Sequence, residues 1–104
     1  GINLVTIVFN DNRYANVYRQ QKEWYDERFI AADLHNPDFV QFAQSFGAHA
    51  MKVDGPDQLR KALEKAFTLD GPVIIEAHQP KNMPAPWQYI LEAPVRGPNK
   101  PGGA

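Results

Sequence analysis

Apolar residues run from Leu4 to Phe9 (LVTIVF) and stop abruptly against Asn10, Asp11, Asn12 and Arg13. A continuous, β-branched run of this length predicts a strand covered on both faces, as in a parallel sheet. Residues 10–36 are polar and aromatic, with Tyr14, Val17, Tyr18, Trp24, Tyr25, Phe29 and Ile30 unevenly spaced. They predict one short helix over 14–22 and then a long excursion. Asn36-Pro37 supplies an N-cap and a proline for a first helical turn, with Asp38 favourably placed beside them. Phe39, Phe42, Ala43 and Phe46 then share a helical face, expected to be core, and Gly47 is a natural stop.

The segment 48–53 (AHAMKV) alternates enough to predict a second strand. Asp54-Gly55-Pro56 starts another helix, on which Leu59, Ala62, Leu63, Ala66 and Phe67 form an amphipathic stripe. Asp70-Gly71-Pro72 ends it, and 73–77 (VIIEA) is a third strand. Strands alternating with helices predict an α/β fold, a parallel βαβαβ sheet with right-handed crossovers. From Gln79 the chain is proline-rich, which excludes a sheet interior or a long helix. The expected organisation is therefore a domain over 1–78 and a proline-rich tail over 79–104. In that tail Trp87, Tyr89, Ile90 and Leu91 dock on a surface and the last residues are loose.

Composition narrows the partners. A formal charge of −1 gives no overall field for nucleic acid or an anionic membrane. No apolar stretch approaches the roughly 20 residues that span a bilayer. The absence of cysteine removes disulfides, thiolate metal sites and cysteine nucleophiles together, and suits a reducing, cytoplasmic compartment. A chain that opens inside a strand without a methionine is expected to be a piece of something longer.

Ligands of open parallel sheets bind outside the carboxyl ends of the strands, where residues 10–13 lie. Asp11 offers a hard anionic oxygen and Asn10 and Asn12 offer amide oxygens, the donors that Mg²⁺ or Ca²⁺ prefers. A turn that caps its own backbone is the alternative use of the same residues. His35, His49 and His78 lie on different elements without a helical ligand spacing, which argues against a zinc or nickel site. A dinucleotide-binding fold needs a glycine-rich turn after the first strand, and no glycine follows Phe9 until Gly47. The charges Glu23, Asp26, Glu27 and Arg28 are expected to be a solvated face.

The stretch IVFNDNRYANV, with NPDFVQFAQSFGAHAMKVDGPDQLRKALEKAFTLDGPVIIEA, resembles the C-terminal part of the diphosphate-binding domain of thiamine-diphosphate-dependent enzymes. The resemblance is nearest to acetolactate synthase and related 2-oxo-acid decarboxylases and carboligases, and covers about residues 1–95. The family's metal motif opens with Gly-Asp-Gly and closes after an apolar strand with Asn-Asn or Asn-Asp, which Asn10-Asp11 matches. The resemblance implies thiamine diphosphate and Mg²⁺ as cofactors. It assigns the Asp11 side chain and the Arg13 main-chain carbonyl to the metal, with Asn10 and Tyr14 in the cofactor site and no catalytic residue in this segment. Ala15 stands where many members have glycine. No Gly-Asp-Gly occurs in the chain, and the family's catalytic glutamate belongs to another domain.

The segment is therefore expected to hold half of the metal–diphosphate site and to be inactive by itself. Its expected partners are the remainder of the parent enzyme or a second subunit, with self-association. A non-catalytic subunit that completes its site with a partner chain is the alternative. The excursion lies near substrate in the family, which makes Gln20, Gln21 and Trp24 possible contacts.

Overall fold

The structure is a computed structural model that describes residues 2–80. The tail expected to dock through Trp87, Tyr89, Ile90 and Leu91 lies outside the described residues. Of these, 2–12 and 35–80 form one compact unit and 13–34 belong to another.

The first unit is a three-stranded sheet with two helices. Strands β1 (Val5–Asn10), β2 (His49–Asp54) and β3 (Val73–His78) lie in the order β1-β3-β2. All pairings are parallel, with Val5 and His49 both opposite Val73, and Asn10 and Asp54 both opposite His78. This central place explains why β3 is buried at Val73, Ile75, Glu76 and Ala77. The sequence pattern supplies the period-2 alternation of faces. One face carries Ile7, Ile75 and Met51, and the other carries Val8, Glu76 and Lys52.

Helix α3 (Pro56–Ala66) covers the first face. Its Ala62 and Ala66 pack with Val53, Val73, Ile75 and Ala77, flanked by Val5, Ile7, Met51, Leu59, Leu63 and Leu69. Helix α2 (Phe39–Ser45) packs on β2 and β3. The chain steps from β1 past β3 to β2 and then back to β3, and the right-handed rule for parallel connections assigns α2 and α3 to opposite faces. The stop at Gly47 is as expected. Gly47 (φ +78°) is left-handed, its N–H donates to Gln44 O (2.9 Å), and the Ala48 N–H donates to Ala43 O (3.2 Å). These are the paired bonds of a Schellman end.

Three expectations need correction. The cap of α2 is Asp38, whose side chain accepts from the Gln41 N–H at 2.9 Å, and not Asn36. The aromatic face of α2 is not core: Ala43 is buried, whereas Phe42 is 52% and Phe46 76% exposed. Their rings instead meet edge to face at 5.2 Å. Strand β1 is not covered on both faces: Thr6 on one face and Phe9 on the other are exposed.

The second unit contains α1 (Ala15–Trp24), two residues longer at its C-terminal end than expected. The excursion returns on itself through the bridge Arg13–Asp33 and a bond from the Tyr14 N–H to Ala32 O (2.7 Å). Gln21 clamps it, donating to Ile30 O (2.9 Å) and accepting the Ile30 N–H (3.1 Å). The Gln21 amide is thus engaged in holding the excursion. Glu23, Asp26, Glu27 and Arg28 are exposed, as a solvated face requires.

Candidate functional site

β1 ends on Asn10, one of two buried polar residues among those described; the other is Glu76. A polar side chain taken out of water needs partners, and each supplies the other. Asn10 Nδ2 donates to Glu76 Oε1 at 2.8 Å. Asn10 Oδ1 accepts the Asn12 N–H at 3.0 Å and the Asn36 Nδ2 at 2.9 Å, and the Asn10 carbonyl accepts the Gln79 N–H at 2.8 Å. Lys52 Nζ lies 4.0 Å from Glu76 Oε1. The bond from Asn10 Oδ1 to the backbone two residues on closes an Asx turn, in which Asn12 takes a left-handed φ of +59°. The backbone-capping use of this turn is therefore real, and Asn10 performs it.

Asp11 sits at the crest of that turn, half-buried, just beyond the carboxyl end of a parallel strand. Asp54 and His78 end the two other strands, with His78 Nδ1 2.9 Å from Asp54 Oδ1, and both are exposed.

In the second unit, the Arg13 side chain is 7% exposed and engaged within that unit. Its Nη2 is 3.3 Å from Asp33 Oδ1, and its Cζ lies 3.8 Å from the Tyr18 ring centroid. Tyr18 stacks in turn on Phe29 at 4.3 Å. A role for Arg13 through its main chain is compatible with a guanidinium so occupied. Tyr14 is 58% exposed.

Sequence reasoning missed Glu76, Lys52 and the tie from Asn36. A signal for the first was present, since VIIEA places a carboxylate inside an otherwise apolar strand. Such a residue requires a partner. Which partner could not be read, because Asn10 lies 66 residues away.

The donor chemistry fits a magnesium–diphosphate group in part. Asp11 offers a hard carboxylate oxygen on a turn rich in amide and carbonyl oxygens, with no thiolate in the chain. Among the described residues no three His, Asp or Glu side chains gather to hold a metal ion. One carboxylate suits Mg²⁺, which retains waters and substrate phosphates in its shell. No helix of the described residues is long and apolar enough to cross a membrane.

Comparison with known proteins shows the family. The chain is 44% identical over 73 residues to an acetolactate synthase of Bacillus subtilis, covering 70% of this chain and 13% of that protein. It is 35% identical over 77 residues to an acetolactate synthase large subunit of Parasynechococcus marenigrum (71% and 12%). It is also 35% identical over 71 residues to the acetolactate synthase isozyme 2 large subunit of Escherichia coli (66% and 13%). The chain thus spans about an eighth of the length of these relatives. Residues 1–77 match the family described as thiamine pyrophosphate enzyme, C-terminal TPP binding domain. With its parallel α/β sheet and the Asn10-Asp11 turn at the end of β1, the chain belongs to that family and is acetolactate synthase-like.

Proposed function

We propose that this chain contributes the closing half of a Mg²⁺–thiamine diphosphate site in an enzyme acting on 2-oxo acids, by acetolactate synthase-like carboligation or by decarboxylation. The observation that carries this reading is the buried Asn10–Glu76 bond, which fixes the turn bearing Asp11 at the carboxyl end of β1. Asp11 would hold Mg²⁺ through its carboxylate. The family pattern adds the Arg13 main-chain carbonyl as a second ligand and places Tyr14 beside the cofactor. Bound thiamine diphosphate supplies the covalent chemistry toward the 2-oxo acid. The residues of this chain bind and orient; none of them is assigned a proton transfer. Relatives named acetolactate synthase support carboligation, and the lack of cysteine supports a cytoplasmic setting.

One carboxylate and one carbonyl leave most of an octahedral shell to other groups. The chain alone is therefore inactive and binds the cofactor weakly. Calorimetric titration of the chain with thiamine diphosphate and Mg²⁺ tests this. The expected result is no saturation up to about millimolar ligand, weaker than about −4 kcal/mol, and no turnover of a 2-oxo acid. Saturable binding or turnover by the chain alone overturns the half-site reading.

A second reading is favoured by one observation. Among the described residues β1 is an edge of the sheet, and Phe9 on it and Ile2 and Leu4 just before it are exposed. Another polypeptide, or a second copy, would complete the site by covering that edge.

A further inference from the structure

Glu76 is the one buried carboxylate among the described residues, and metal binding as proposed above does not use it. It lies in the middle of the central strand, on the face that also bears Asn10 and Lys52. Its Oε1 accepts a hydrogen bond from Asn10 Nδ2, at 2.8 Å. An asparagine amide has a donor end and an acceptor end, and a carboxylate can only accept from it. Glu76 therefore selects which way the Asn10 amide faces. With Nδ2 drawn to Glu76, Oδ1 is the atom left for the Asn12 N–H and for Asn36 Nδ2. Rotated by half a turn, the amide would set its NH₂ against two donors and its oxygen against a carboxylate.

We propose that Glu76 is a positioning residue for the metal turn. Acting through Asn10, it holds Asn12 in the left-handed conformation and so presents the Asp11 carboxylate beyond the end of β1. Lys52, 4.0 Å from the same carboxylate oxygen, offsets the charge that Glu76 brings into a buried place. The inference rests on the metal role proposed for Asp11, but its first consequence, the orientation of the Asn10 amide, does not. Glu76 touches neither metal nor cofactor in this scheme.

The test compares Glu76→Leu, which removes the acceptor, with Glu76→Gln, which keeps an acceptor oxygen in nearly the same volume. Nuclear magnetic resonance on the 104-residue chain reads two things. The first is hydrogen exchange at the Asn10 side-chain amide and the Asn12 N–H. The second is line broadening by Mn²⁺, used in place of Mg²⁺. In the unaltered chain both amides exchange slowly, and Mn²⁺ broadens the signals around Asp11. In Glu76→Leu, exchange at Asn12 rises roughly fivefold to tenfold and the broadening at Asp11 is lost. In Glu76→Gln both return toward the unaltered pattern. A residue with only a bulk structural role would change exchange throughout β3 alike and would not be rescued by glutamine.

A folded Glu76→Leu chain with unchanged Asn12 exchange and unchanged broadening overturns the proposal. Fast exchange of the Asn10 side-chain amide in the unaltered chain also overturns it, and needs no variant to fold. Slow exchange at both amides with no broadening near Asp11, or broadening that survives Asp11→Ala, instead sinks the metal reading and leaves the amide orientation standing.

Discussion

Asn10 spends every polar atom of its side chain inside the protein, toward Glu76, Asn12 and Asn36. Asn10→Ala removes three bonds at once and strands a buried carboxylate. An unsatisfied buried group costs about 1–3 kcal/mol, so the urea midpoint should fall by an amount of that order. A smaller loss than a surface substitution produces would mean that Glu76 is satisfied elsewhere. The abrupt change from Phe9 to Asn10 made the end of β1 and the turn after it legible in the sequence. The division of labour within it was not legible. That Asn10 caps the turn depends on Glu76 and Asn36, which only the folded chain brings near.

At the level of elements, the helix-stop glycine and the stripe of α3 could be read directly, since both are set by contacts within a few residues. The start of α2 could not. Asn36-Pro37-Asp38 contains two residues able to cap, and the choice falls to Asp38 because the Asn36 amide is drawn to Asn10. Asp38→Ala should cost about 1 kcal/mol in chemical denaturation, whereas Asn36→Ala should disturb the Asn10 turn and leave the helix start intact. Exchange rates at the first amides of α2 separate the two.

The aromatic spacing of α2 was misread for a different reason. Phe42 and Phe46 lie one turn apart and do pack, but on each other at the surface, while the small Ala43 faces the interior. Periodicity reveals that a helix has an apolar face; it does not say that the protein covers it. Replacing Phe46 by serine should therefore change stability by no more than about 0.5 kcal/mol, the range for exposed sites. A loss of several kcal/mol would place Phe46 in the core after all.

For the first unit as a whole, the principal core lies on the α3 face of the sheet, centred on the fully buried Ile75. Ile75→Ala should cost about 2–5 kcal/mol, a large share of the stability of so small a core, and thermal unfolding will show it. The class of this sheet was legible from alternating strand and helix patterns. The order β1-β3-β2 was not, because nothing local in the sequence tells a parallel strand which neighbour it will take. That order makes β1 an edge among the described residues, and Phe9, with Ile2 and Leu4 just before the strand, is exposed. Apolar surface of this kind favours association, so light scattering should show the mean mass rising with concentration. A monomer at high concentration would remove self-association from the account.

The most direct measurement of the central claim follows backbone amide signals of this chain as Mg²⁺ and thiamine diphosphate are added together, with the Asp11→Ala variant beside it. The prediction is weak, unsaturated shifts confined to the turn around Asn10–Arg13 in the unaltered chain, and none there in the variant. Shifts that fall elsewhere, or that persist at the turn without the Asp11 carboxylate, would contradict it.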